Sequence, residues 1–491
     1  MHRTIAVFFF ALAVATGTGH RLGLVPEDLD TIPWVRRVEQ VPVADGKLPA
    51  GDLVRVDHSP DMPPIGNQGA QGSCVAWAHG YNHMTHNEFV ERGWNVRDPH
   101  HQFSPAFLYN QVNGGRDWGT SGSVVMRLAI EQGCASIVDH PYNQYDYTTW
   151  PSESAYFNAL WFRGEEACFI HARDTAGINL VRQHLANGYT CVIGIAVWSN
   201  FDNIRNFRNI YSSSERYGTM RGWHAVTIVG YDDTLTTADG PGAFRVANSW
   251  GTGWGDAGWF WMTYAAVMDQ EMSGRQVEFI RDLVGYEPRM VGRVTISHPT
   301  RDRVGIELGV APIPMPPWFF EYRAWRPTGI DRPFPDHPIV FDMTGGADFL
   351  TGGGDDWLYL GAWDDINDGA TGSITGFAVD HLEWGTRAVS FETPVPIPDG
   401  AGPVFVTAQL PASGAAEDPG AGIPGRVLRL PSVSRGTLLL PADQRAGATL
   451  RDASGRKVME LQPGENDVTR LAPGVYFVRT APGVHRVVVL R

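Results

Sequence analysis

The stretch Gln68-Gly69-Ala70-Gln71-Gly72-Ser73-Cys74-Val75-Ala76-Trp77-Ala78 constrains this chain more than any other. A glycine-rich turn hands a single cysteine to the start of an apolar run that reads as a helix, with Ser73 as its cap. A thiol in that place feels the positive end of the helix dipole and free backbone N–H groups. Its thiolate is thereby favoured and becomes a nucleophile. Two later segments carry the partners such a thiolate needs. Trp223-His224-Ala225-Val226 offers an imidazole, and Ala247-Asn248-Ser249-Trp250-Gly251 offers an amide.

The residues around the cysteine are helical in pattern. Ser104 and Pro105 occupy the cap and first position of a second helix, and a third spans residues 123–132 until Gly133 stops it. The period then changes. Residues 191–197, 224–230, 243–248 and 259–262 are short β-rich runs bounded by Gly and Asp, with 198–222 and 232–242 reading as loops between them. A helical subdomain with the cysteine therefore faces a β subdomain with the histidine, and the cleft between them is the natural ligand site.

At 491 residues the chain exceeds what one core can hold, so several domains are expected. Residues 1–19 read as a signal peptide: His2 and Arg3 precede an apolar run over 5–15, and small residues follow. No other stretch is apolar enough to cross a bilayer as a helix, so no transmembrane helix is expected after cleavage. A net charge of -14 with no Lys/Arg run excludes a nucleic-acid partner. Cys74, Cys134, Cys168 and Cys191 suit an exported protein, with pairing among the last three left open. Residues 20–50, punctuated by Pro26, Pro33, Pro42 and Pro49, read as an extended linker or a short pro-segment. His79, His83 and His86 share one helical face and are read as packing residues; no metal and no cofactor is expected.

Beyond residue 286 the texture shifts to Pro, Gly, Asp and alternating apolar residues. Residues 287–410 read as a β-sandwich domain, 411–425 as a linker rich in Ala, Gly and Pro, and 426–491 as a small β domain. The acidic turn Asp364-Asp365-Ile366-Asn367-Asp368-Gly369 departs from an EF-hand loop at Ile366 and again at Thr375, so its acids are read as solvated, with other calcium geometries left open.

Taken together, the ordered motifs over residues 51–286 resemble the papain family of cysteine peptidases. They are Gln68; Gly72-Ser73-Cys74; His224-Ala225-Val226 with Gly230-Tyr231; and Asn248-Ser249-Trp250-Gly251-Thr252-Gly253-Trp254-Gly255 before Gly258-Trp259. The resemblance implies an α+β fold of two subdomains followed by all-β C-terminal domains, and hydrolysis of protein or peptide substrates. It also implies roles: Cys74 as nucleophile, His224 as its acid–base partner, and Asn248 to orient the imidazole. Trp250 would shield that contact, and Gln68 would share the oxyanion hole with the Cys74 N–H. Val75 stands where an aromatic is usual, and Gln71 where a disulfide cysteine is common. Gly114-Gly115 and Gly119-Thr120-Ser121 are both candidates to offer backbone to a bound peptide. Residues 287–410 are similar to β modules appended to secreted proteases. The Asp452-to-Val458 and Leu471-to-Arg479 motifs of the last domain resemble sorting domains of the type IX secretion system. Those likenesses imply a secreted or cell-surface protein of bacterial type that meets secretion machinery or a surface attachment site. The competing readings are a silent binding or adhesion protein on a papain-like scaffold, and a thiol acyltransferase.

Overall fold

A helix running from Cys74 to Arg92 is the axis of the first half of the chain, and its residues 74–88 are all buried. Burial on every face means that its polar side chains must find partners inside. Asn82 donates to Thr227 Oγ1 at 3.1 Å, and Asn87 donates to Ile280 O at 3.1 Å. His83 bridges Thr190 and Ile280, while His79 meets Glu278. The histidines thus stitch the helix to the sheet. Trp77–Met84 takes the wider π-helical register, and Gly80 lets the helix Pro105–Val112 approach: a Cβ there would lie 2.5 Å from Leu108 Cδ1.

The computed structural model describes residues 20–312, 315–322, 332–411 and, in pieces, 433–489. The signal-peptide reading of 1–19, the linker over 412–425, and Gly455 and Arg456 of the sorting-like motif lie outside the described residues. The chain divides into two compact units, Met1–Ala415 and Ala416–Arg491.

In the first unit a nine-stranded mixed sheet backs the helix. Its order is Arg36–Arg37, Gly164–His171, Ser273–Asp282, Cys191–Ala196, Trp223–Thr237, Gly240–Ala247, Trp259–Thr263 and Ile210–Tyr211, with Arg55–Asp57 added to Trp223–Thr237. The helix expected over 123–132 is Gly122–Glu131, and Ser104 caps Pro105–Val112 through the Phe107 N–H as its sequence implies. The loop expected over 232–242 is instead the tip of a hairpin, because pairing of Trp223–Thr237 with Gly240–Ala247 resumes after a bulge, from Thr236 with Pro241. Residues 20–50 do not hang free. Leu29 is buried, Arg36–Arg37 pairs in parallel with Gly164–His171, and Glu27 accepts from the Ser123 N–H and hydroxyl.

Two antiparallel sheets follow in the same unit. One is Ile339–Asp342, Met290–Ser297, Gly372–His381 and Thr386–Val389, with Val395–Ile397 on the third strand. The other is Trp318–Tyr322, Val304–Val310, Asp356–Asp364 and Val404–Leu410. Alternate residues such as Ile306, Leu308, Leu358, Leu360, Phe377 and Val379 share one apolar core, as strand periodicity requires. The second unit has a five-stranded and a two-stranded sheet around Leu438, Leu450, Leu461 and Val478. No helix among the described residues is long and apolar enough to cross a membrane.

Candidate active site

Cys74 is the first residue of its helix and is fully buried. Ser73 occupies the cap position without capping. Its hydroxyl is engaged by the Tyr142 hydroxyl at 2.8 Å, which corrects the expectation from sequence. The amides of Cys74 and Val75 are thereby left to face the thiol, joined by those of Ala225 and Gly23, and all four favour the thiolate. Burial outweighs them and pushes the thiol up to about 11. In this covered state the acidic thiol that sequence implies is absent.

His224 lies on the strand Trp223–Thr237, opposite Ile195. Its Nε2 is 2.7 Å from Asn248 Oδ1, and that oxygen also accepts from the Ser249 N–H at 2.8 Å. Because the backbone donor fixes which end of the amide is oxygen, His224 Nε2 must carry the proton in that bond. Nδ1 is buried and makes no hydrogen bond among the described residues. Burial lowers the imidazole to about 4, against an upward pull from Asn248. Trp250 tilts against His224 at 4.9 Å between ring centroids, and Phe201 and Trp254 complete an aromatic wall behind it.

Gln68 joins the two halves. Its Oε1 accepts from Ser249 Oγ at 2.7 Å, and its backbone N–H donates to Ser249 O at 2.8 Å. Its Nε2 donates to Gln71 O at 2.8 Å and to Arg21 O at 3.0 Å.

That second acceptor belongs to a segment whose placement sequence reading missed. Residues 20–25 run across the cleft. His20 stacks on Trp250, Arg21 pairs with Asp117 at 3.3 Å, and the Gly23 amide faces the Cys74 thiol. Thr120 N donates to Gly23 O at 2.9 Å, Val25 N donates to Thr120 O at 3.0 Å, and Leu24 N donates to Trp223 O at 3.3 Å. Gly23 has no room for a side chain: a Cβ would lie 1.8 Å from Gly72 O. Of the two candidate glycine stretches, Gly119 and Thr120 border this segment. The sequence signal was present, a glycine inside the apolar run Leu22-Gly23-Leu24-Val25, but the partner it approaches is set by the tertiary fold.

All four cysteines are free and buried. Among the described residues two acidic groups have the spacing to hold a cation, Glu88 with Glu91 and Asp282, and Asp364 with Asp368 and Asp399. In the first, Arg92 already pairs with Glu88 and Glu91. In the second, His298 and the amides of Ile366, Asp368 and Gly369 take up carboxylate oxygens.

Residues 54–276 match the family described as Papain family cysteine protease. An uncharacterized peptidase C1-like protein of Acanthamoeba polyphaga mimivirus is 26% identical over 230 residues, 45% of this chain and 71% of that protein. Gamete and mating-type specific protein A of Dictyostelium discoideum is 26% identical over 208 residues, and Peptidase 1 of Dermatophagoides pteronyssinus is 26% identical over 211. The matched segments span only 42% and 60% of those two proteins. Among solved structures, xylellain, a cysteine protease from Xylella fastidiosa, aligns with a TM-score of 0.42 at 22% identity, over 54% of this chain and 99% of xylellain. Residues 54–276 thus carry a papain family cysteine protease domain, a domain of the cysteine-type peptidases.

Proposed function

We propose that this chain is an exported peptidase that cleaves peptide bonds through Cys74, His224 and Asn248, with residues 20–25 holding the cleft shut until they are displaced. The observation that carries the reading is the 2.7 Å bond from His224 Nε2 to Asn248 Oδ1, which leaves Nδ1 unprotonated and without a partner among the described residues. An imidazole so fixed can take one proton and give it back. In the proposed cycle His224 Nδ1 removes the Cys74 proton, and the thiolate attacks the scissile carbonyl carbon. The oxyanion of the tetrahedral intermediate is met by Gln68 Nε2 and the Cys74 N–H. His224 then protonates the leaving amine, and the acyl-enzyme remains. Water, deprotonated by His224, attacks the thioester and releases the acid. The Arg21 carbonyl now on Gln68 stands in for the substrate carbonyl.

Trp250 shields the His224–Asn248 bond, and vacating the cleft would let water and charge return to the thiol and imidazole. Export would follow from the signal peptide read over 1–19, and sorting or surface attachment from residues 426–491. The test is digestion of a peptide library by the purified chain and by Cys74→Ala, with covalent capture by an epoxide thiol reagent. Cleavage and capture lost together in the variant are expected. Equal labelling of both proteins would remove Cys74 from the mechanism, capture without cleavage would favour the binding scaffold, and product formed mainly with added amine would favour an acyltransferase.

A further inference from the structure

The β region reaches the rim of the cleft. Arg332 donates to Gly115 O at 3.3 Å, and its stem lies against the same glycine, where a Cβ would meet Arg332 Cγ at 2.6 Å. Gly114 and Gly115 both have positive φ, +67° and +70°, so this turn needs glycine; the Asn113 side chain accepts from the Gly115 N–H at 2.6 Å, and Arg332 holds the carbonyl of the same residue. Arg332 is itself anchored. Its carbonyl accepts from Arg301 N at 2.8 Å, and the Arg301 guanidinium lies 3.9 Å over the Trp150 ring. Trp150 in turn donates to Asn110 O at 3.0 Å, at the end of the helix from which the turn departs.

The turn leads straight to the substrate side of the site. Asp117 accepts from the Gly72 N–H at 2.7 Å and from Tyr109 at 2.8 Å, which ties the loop to the cysteine-bearing turn. Three residues on, Thr120 gives and takes the two backbone hydrogen bonds that hold residues 20–25 in the cleft. Any extended chain in that groove must use the same N–H and C=O. We infer that Arg332 is a positioning residue of the peptidase: from the β region it fixes the loop over residues 113–120, and through Thr120 it sets how firmly the cleft grips a peptide backbone. This rests on the peptidase reading above. It assigns to the β region a part in substrate binding, beyond the apolar core it shares with the helices of the peptidase region.

The experiment compares the full chain with Arg332→Ala and Arg332→Lys by two readouts. The first is amide hydrogen exchange, which needs no activity. Thr120 and Val25 should exchange roughly three- to tenfold faster in Arg332→Ala, the worth of one hydrogen bond, while amides of the strand Cys191–Ala196 stay unchanged. The second is peptide hydrolysis in a Gly23→Val background, where residues 20–25 cannot occupy the groove. KM should rise by a similar factor with kcat within about twofold, and Arg332→Lys should recover most of both effects. Unchanged exchange at Thr120 overturns the inference. So does raised exchange with unchanged KM, or a fall in kcat and fold stability that lysine does not rescue. If the parent cleaves nothing, the peptidase reading fails on that arm, while exchange still decides whether Arg332 holds the loop.

Discussion

The ring of His20 lies on the indole of Trp250, with centroids 4.6 Å apart and planes 12° from parallel. That indole also tilts against His224. One tryptophan therefore packs on the imidazole of the site and on the segment that covers it. From His20 the chain passes the Gln68 amide with the Arg21 carbonyl, then the Cys74 thiol with Gly23, then Thr120 with Gly23 and Val25. Gly23, Cys74 and His224 are buried beneath this path, and burial accounts for a thiol raised to about 11 beside an imidazole lowered to about 4.

Gly23→Val should open the cleft. The added Cβ would meet the Gly72 carbonyl oxygen at 1.8 Å; the Cβ is fixed to its own Cα and the oxygen is backbone, so neither can swing aside. Alkylation of Cys74 at neutral pH is expected to accelerate by at least about tenfold, since hydrating the thiol restores its anion. The pH profile should also move. In the parent, reactivity climbs toward pH 11, and in the variant the rise comes at lower pH. Alkylation rates measured from pH 5 to 10 check this, and superimposable profiles would sink it.

Gln68→Ala and Asn248→Ala should both impair hydrolysis, in different ways. Loss of one oxyanion donor is expected to lower kcat by roughly 10²- to 10³-fold. Cys74 alkylation, which builds no oxyanion, should change far less. Removal of the Asn248 amide frees the His224 ring, so hydrolysis should fall by about 10- to 100-fold and alkylation should fall with it. Steady-state kinetics beside alkylation rates separate the two. Equal losses in both assays for Gln68→Ala would point to collapse of its bonds to Ser249 instead.

Much of this site was legible because its chemistry lies in short local motifs. Cys74 follows a glycine turn, His224 sits on a strand and Asn248 directly follows one, and the β-rich runs of both strands are plain. The hidden parts are contacts between segments far apart in the chain. Nothing near Ser73 announces that Tyr142 will take its hydroxyl, and nothing near Gly115 announces Arg332. Residues 20–25 read as part of a linker or short pro-segment because proline content reports local stiffness and not the groove a segment enters. The histidines at 79, 83 and 86 were legible as one helical face; which strands would satisfy them was not.

Stability should depend on pH through Glu278. Burial raises its carboxyl to about 8, and the same burial lowers His79, 3.0 Å away, to about 3. At neutral pH the pair is an acid O–H donating to a neutral imidazole. The folded chain holds the Glu278 proton in a window where the unfolded chain has released it. This contribution is complete below about pH 4.5 and is lost as pH rises toward 8. His79 works in the opposite sense, costing stability as pH falls from about 6.5 toward 3. Glu278→Gln has no carboxyl to titrate, so the gap between parent and variant should shift against the parent by more than about 1 kcal/mol between pH 5 and 8. Urea unfolding at those two pH values measures it, and a constant gap would show that Glu278 does not hold the proton.

The peptidase and β regions should unfold together, and Asp342 is where that coupling can be cut. Asp342 ends the strand Ile339–Asp342, yet it is paired by Arg163 and by the Tyr286 hydroxyl, and its other oxygen takes the Thr344 N–H at 2.8 Å. Its side chain is 6% exposed and that of Arg163 is 16% exposed. Removing one member of a pair this buried strands the other charge, a loss of about 3 kcal/mol or more. Asp348 offers the control. It pairs with Arg289 on the same side of the β region but is 71% exposed, so Asp348→Ala should cost about 0.5 kcal/mol or less. Calorimetry of the full chain should show the transition of residues 54–276 separating from that of the β region in Asp342→Ala and not in Asp348→Ala. Asp342→Asn, which keeps the acceptor for Thr344 but not the charge, should fall between them. If both alanine variants melt alike, the Asp342 pair contributes nothing to their coupling, which then rests on the shared apolar core and on other links such as Arg293 with Glu153 and Gln132 with Val340.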